Sequence, residues 1–132
     1  MLVGRRTRVI MTLPDHSPRV LVLIRTSLRP DCDMAALEAM DARMNELVSQ
    51  IPGYQGVKAF TADDGETLAI AQFESHEALL RWRDLPEHLE AQRAGREKFY
   101  STYDMRICSV ERAYDFSLHR EPKRSDHLFQ GR

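Results

Sequence analysis

The sequence predicts an α+β fold of the ferredoxin-like kind, a βαββαβ unit with one antiparallel sheet and its helices on one face. Three observations carry that reading. The apolar patterns run strand, helix, strand, strand, helix pair, strand; the two middle strands flank an Asp64-Gly65 turn; and Pro86 splits the second helical stretch without ending it.

Residues 19–26, RVLVLIRT, form a short valine-rich apolar run bounded by Pro18 and Pro30, the pattern of a buried strand. After it Leu37, Met40, Met44, Leu47, Val48 and Ile51 recur at three- and four-residue steps, while Glu38, Asp41, Arg43 and Glu46 fall on other faces. This spacing predicts an amphipathic helix capped by Asp33 and stopped by Pro52-Gly53, with its methionines, Met34 included, as core filler. The runs YQGVKAFTA and TLAIAQFES around DDGE predict a hairpin. A second helix is expected from about Ser75, its cap, turning Ala78, Leu79 and Trp82 inward. Asp84 and Glu87 stand in the D-x-x-E spacing of a capping box, with Pro86 in the first turn, so a third helix is expected from there to about Tyr100. YDMRICSVERAYDF then reads as a long final strand. A single layer of helices leaves one sheet face open, which predicts that this face packs against a second copy in a homodimer.

The 132 residues suit one domain, expected over residues 19–116, with an N-terminal arm at 1–18 and a C-terminal tail at 117–132 that is mobile or draped over the partner. With 19 basic and 20 acidic side chains the formal charge is -1, which lacks the electrostatic footprint of a nucleic-acid binder. Cys32 and Cys108 form no CxxC pair, so no zinc or redox motif is indicated and both are expected to be reduced thiols of a cytoplasmic protein. The basic N-terminus carries only the short apolar run VIMTL, so export is not expected, and Met11 is a second candidate start. No apolar run is long enough to span a bilayer. His16, His76, His88, His119 and His127 contain no i,i+4 pair, and no phosphate loop, GxSxG elbow or dinucleotide fingerprint is present. The expectation is therefore an absence of metal, flavin and nicotinamide.

The segments IPGYQG, DDGETLAIAQFESHEALLRW, PEHLEAQRAGREKFY and the closing VERAYDF together resemble the antibiotic biosynthesis monooxygenase family over roughly residues 19–116. The resemblance implies a ferredoxin-like unit that pairs through its sheets into a dimeric α/β barrel. It implies an activity only broadly, because the family includes cofactor-free oxygenases of anthrones or quinols, haem-cleaving enzymes and members with no known substrate.

In the cofactor-free members a tryptophan in this region lines the substrate cavity, and Trp82 is the residue that matches it; on its own helix Trp82 also reads as core. His88 shares a helix face with Gln92, Gly95 and Phe99. It is a candidate to orient or deprotonate a phenolic substrate, or a helix-start histidine with a structural hydrogen bond. Gln92 is a candidate to fix a substrate oxygen, and Gly95 leaves a gap for a flat ligand or a neighbouring backbone. Arg25, Arg106 and Arg112 offer positive charge to a developing enolate or phenolate, or are solvated or ion-paired. Phe60, Phe73 and Phe99, with Tyr54, Tyr100 and Tyr103, supply aromatic surface for a pocket or for the core.

Three functions compete. The first is a cofactor-independent monooxygenase that takes a small electron-rich aromatic and dioxygen, with Trp82, His88 and Gln92 as its machinery. The second is haem binding and degradation, for which the resemblance calls for an asparagine on the first strand and a histidine ten positions after the tryptophan. Here that position is Gln92, and the sole asparagine is Asn45. The third is a non-catalytic dimeric module that binds a small ligand.

Overall fold

A computed structural model describes residues 8–10 and 17–119. Its elements are β1 (Arg8–Ile10), β2 (Val20–Leu28), α1 (Met34–Val48), β3 (Tyr54–Thr61), β4 (Thr67–Phe73), α2 (His76–Arg83), α3 (Pro86–Ala94), a π-helical turn (Gly95–Phe99), β5 (Tyr100–Ser109) and β6 (Ser117–His119). They fall into two compact units: Ser17–Glu111, and a unit drawn from Met1–His16 and Arg112–Arg132. In the latter, β1 and β6 pair antiparallel, Arg8 opposite His119. The sequence reading of the arm and tail foresaw neither strand; the rest of that reading, with Met11, His16 and His127, lies outside the described residues.

In the larger unit the sheet order is β3-β4-β2-β5 with every pair antiparallel, the ferredoxin-like order for this chain. Register divides the side chains cleanly. On one face the rows run Tyr54-Phe73-Val20-Ser109, Val57-Ala71-Val22-Ile107, Ala59-Ala69-Ile24-Met105 and Thr61-Thr67-Thr26-Tyr103. The core lies on this face, where Val20, Val22 and Phe73 pack with Val48 of α1 and with Ala78 and Leu79 of α2. Val20 and Phe73 are 1% exposed. The small Ala69 and Ala71 in the middle of β4 leave room for helices to lie close. The other face carries Leu21, Leu23 and Arg25 of β2, Leu68 and Ile70 of β4, Lys58 and Phe60 of β3, and Asp104, Arg106 and Cys108 of β5.

Local chemistry sets the element ends. Asp33 accepts from the Ala36 N–H at 3.1 Å and Ser75 from the Ala78 N–H at 3.1 Å, so both expected caps form. Gly53 turns the chain into β3 at φ +92°, and a Cβ there would sit 2.6 Å from that of Ala78, so both backbone angle and space require glycine. Pro86 opens α3, but the expected capping box does not form. Leu85 occupies the cap position with no side-chain bond, and Asp84 instead ends α2, its carboxylate accepting from Arg83 Nε at 3.1 Å. The residue before a proline is pushed to extended backbone, and that makes Leu85 the last non-helical residue and leaves Asp84 one position too early.

The third helix also ends sooner than expected. After Ala94 the chain widens into the π-helical turn and enters β5 at Tyr100; β5 itself stops at Ser109, and residues 111–116 are not strand. Arg29, just past β2, fixes this turn by donating from its guanidinium to the carbonyls of Arg96 at 2.6 Å and Tyr100 at 3.0 Å, and from its N–H to Phe99 O at 2.9 Å. The Arg96 and Phe99 carbonyls would otherwise be orphans of a helix end.

Candidate functional site

The break between α2 and α3 brings Trp82 and His88 together. Trp82 sits in the last turn of α2 and His88 in the first turn of α3, and the short link is held by N–H bonds from Leu85 to Trp82 O at 3.2 Å and from His88 to Leu85 O at 3.0 Å. The two rings meet with centroids 4.3 Å apart at 36°. Trp82 is half-buried and packs on the core cluster as well, so it joins the core to the histidine.

His88 is half-buried, and that burial holds its pKa below the ordinary 6.5, opposed more weakly by the Arg83 carbonyl 3.5 Å from Nδ1. A neutral imidazole with its Nδ1 proton turned toward that carbonyl presents a lone pair at Nε2, the form a general base needs.

One helical turn on, the Gln92 side chain approaches Tyr103, which stands on the helix side of β5 opposite Thr26. Burial raises the Tyr103 pKa, while Gln92 and then Arg96 act in the opposite direction. Its hydroxyl donates to Met105 Sδ at 3.7 Å. Tyr103, Met105 and Ile107 form one row on the helix side of this edge strand, yet they are 37%, 40% and 47% exposed. The row is a largely apolar strip that the helices leave uncovered, with Gln92 near its Tyr103 end.

The gap at Gly95 is filled from within. A Cβ there would lie 2.7 Å from Tyr100 Cε2 and 3.0 Å from Cδ2, so the glycine seats the Tyr100 ring. That ring in turn lies 5.7 Å from the Tyr103 ring, and burial pushes the Tyr100 hydroxyl up to about 12.

The remaining sequence candidates lie elsewhere. Arg25, Phe60 and Arg106 are on the opposite face of the sheet: Arg25 pairs with Glu66 at 3.2 Å, Arg106 with Asp104 at 3.2 Å, and Phe60 lies under Lys58 Nζ at 5.6 Å. Phe73 is inside the core and Phe99 is buried at the end of the π-helical turn. Arg112 belongs to the smaller unit. The structure therefore brings Trp82, His88 and Gln92 to one side and adds Tyr103, Met105 and Ile107, whose two-residue spacing marks a shared strand face but not an uncovered one. Met40 and Met44 line a groove of about 230 Å³ between α1 and α3, with Ala91 and Ala94, bridged by Arg43 and Glu87 at 3.1 Å. Met34 is exposed, so none of the three methionines is fully buried.

Among the described residues no three His, Cys, Asp or Glu side chains cluster as metal ligands, and no helix is long and apolar enough to cross a membrane.

The family model for antibiotic biosynthesis monooxygenase matches residues 19–94, more than half the chain. The chain belongs to the antibiotic biosynthesis monooxygenase family. It is 30% identical over 95 residues to the uncharacterized protein YqjZ of Bacillus subtilis, covering 72% of this chain and 82% of that one. Among solved structures it is similar to Rv0793 from Mycobacterium tuberculosis, with a TM-score of 0.61, 22% identity and coverage of 71% and 96% of the two chains. It is also similar to SnoaB, a cofactor-independent oxygenase from Streptomyces nogalater, with a TM-score of 0.59, 19% identity and coverage of 74% and 97%. These structural likenesses establish the shared fold.

Proposed function

We propose that this family member is a cofactor-independent monooxygenase acting on a small electron-rich aromatic of the anthrone or quinol type. The observation that carries the reading is the Trp82-His88 ring pair on the helix side of the sheet, the side that also bears the uncovered row of Tyr103, Met105 and Ile107. Family membership and the likeness to an oxygenase described as cofactor-independent support it.

For an anthrone the steps balance without a redox centre in the protein. His88 takes a proton from the acidic ring CH2, and the delocalised carbanion reduces dioxygen and forms a C–O bond. The protonated imidazole returns its proton to give the hydroperoxide. Loss of the second C–H proton with cleavage of the O–O bond leaves a ketone and releases water. Trp82 provides a flat wall, Gln92 helps fix a ring oxygen, and the apolar floor strengthens these interactions by excluding water. Gln92 approaches Tyr103 and Asn45 lies on α1, which gives the haem alternative no added support.

The same reading includes pairing of two copies through the open sheet face, with Leu21, Leu23, Leu68 and Ile70 at its centre. It places the protein in the cytoplasm, where two free cysteines fit a reducing compartment.

Oxygen consumption by the purified protein with 1,8-dihydroxy-9-anthrone tests the activity. The expectation is one dioxygen consumed per quinone formed, well above the buffer rate, with His88→Ala lowering kcat by about 100- to 10,000-fold. Wild-type protein that does no better than buffer across anthrones and quinols sinks the reading.

A further inference from the structure

We propose that the Tyr103 hydroxyl donates a hydrogen bond to an oxygen on the bound aromatic ring and so sets the specificity of the site for oxygenated over bare ring systems. The proposal rests on the reading that the site takes flat aromatics, and it adds a residue and a selection rule to it.

The hydroxyl has an unusual pair of partners. The Gln92 side chain lies near the phenolic oxygen and acts to lower the Tyr103 pKa, the direction an amide N–H beside it gives. The tyrosine's own proton is directed at Met105 Sδ, 3.7 Å away. A thioether is a weak acceptor, whereas a carbonyl or phenolate oxygen is a strong one, and stronger still when it carries charge. A ligand oxygen entering above the floor therefore gains this proton in exchange for a weak contact. The phenol stays protonated at neutral pH, since burial raises its pKa, and a protonated phenol is what a donor requires.

The surroundings keep that donor in one place. Tyr100 flanks the Tyr103 ring at 5.7 Å and is itself seated on Gly95, leaving no room there for a larger residue. Tyr103 is 37% exposed on the uncovered row, so a ligand on that row reaches it. Gln92 follows His88 by four residues, a rise of about 6 Å along the helix. His88 and Gln92 thus stand on successive turns of one helix face. His88 removes a proton while the Tyr103 hydroxyl stabilises the charge that develops on a ring oxygen.

The test uses two probes of nearly equal shape, 2-naphthol and 2-methylnaphthalene, titrated calorimetrically into the full-length protein under anaerobic conditions. Tyr103→Phe keeps the ring and removes the hydroxyl. It is expected to lower the preference for 2-naphthol over 2-methylnaphthalene by about tenfold, or about 1.4 kcal/mol. Affinity for 2-methylnaphthalene itself is expected to stay within about twofold. Gln92→Leu should lower the same preference by a smaller factor, because the hydroxyl remains but loses its hold. A ratio of affinities is insensitive to a partly unfolded sample, so a folding defect does not imitate this result. An unchanged ratio in Tyr103→Phe, or an equal weakening of both probes, overturns the role of the hydroxyl while leaving the aromatic site in place. Wild-type protein that binds neither probe overturns the aromatic site and this inference together.

Discussion

At His88 the local environment makes a prediction that can be read in pH. Burial holds its folded pKa below 6.5, so the neutral base is already formed at pH 7 and is lost only as pH falls through that lower value. The acidic limb of kcat/KM is therefore expected to bend below pH 6.5, with a flat plateau above, and to vanish in the residual rate of His88→Gln. A bend above pH 6.5, or one that survives the substitution, removes His88 from proton transfer. Stability follows with the same sign. Between the folded pKa and 6.5 the unfolded chain binds the proton and the native chain does not, so the His88 contribution is full above pH 6.5 and declines as pH falls. The cluster of Trp82, His88 and Gln92 was legible in the sequence because a helix pair broken at Pro86 fixes their relative positions locally. Arg25, Phe60 and Arg106 were harder, since RVLVLIRT is apolar at both parities and does not say which alternate set faces the helices. Only the register, with Val20, Val22 and Ile24 on the helix side, puts Leu21, Leu23 and Arg25 on the other.

At the scale of elements the π-helical turn is the feature that sequence periodicity missed, because a one-turn widening changes no residue type. It decides how α3 hands the chain to β5: Phe99 goes inward, and Tyr100 folds back over Gly95 and beside Tyr103. Such turns recur at functional sites, and here the turn sits between two residues proposed to act on the same ligand, Gln92 and Tyr103. A glycine in a helical segment invites Gly95→Ala, which on propensity alone stabilises by about 1 kcal/mol. The Tyr100 ring reverses that sign, since the added Cβ falls 2.7 Å from Cε2 and the half-buried ring must move. Overpacking of this kind costs about 1–3 kcal/mol, so Gly95→Ala is expected to lower the urea midpoint, and Gly95→Ala with Tyr100→Ala to recover part of the loss. A single variant as stable as wild type, or more so, refutes the seating of Tyr100 as the reason for glycine. By contrast the Ser75 and Asp33 caps were readable from sequence, because a cap depends on residues three apart, while Asp84 failed as a cap through a backbone preference imposed by Pro86.

For the whole molecule, the strand order and the single helix layer were legible because each strand and helix announces its own period, but pairing between copies depends on a face whose composition is mixed. The sheet face away from the helices has an apolar centre at Leu21, Leu23, Leu68 and Ile70, flanked by the ion pairs Arg25-Glu66 and Arg106-Asp104. Charges already matched within the chain can remain at the rim of an interface, leaving the centre to supply the apolar contact. Leu23 is the informative position, because it stands between Ile70 of β4 and Arg106 of β5 on this face. Leu23→Lys puts a charge into the middle of the proposed contact at a cost of about 3 kcal/mol or more, roughly a hundredfold in dissociation constant. Light scattering should give twice the 15.3 kDa chain mass for wild type and a fall toward the single-chain mass for this variant as concentration decreases. Leu89→Lys is the matched control: Leu89 lies on α3 and is already 50% exposed, so a charge there should leave the mass unchanged. Retained far-UV circular dichroism separates dissociation from unfolding. A wild type that is monomeric at micromolar concentration ends the pairing proposal, and a Leu23→Lys protein that stays dimeric while Leu89→Lys dissociates moves the interface to the helix side, against the very row on which the aromatic site depends.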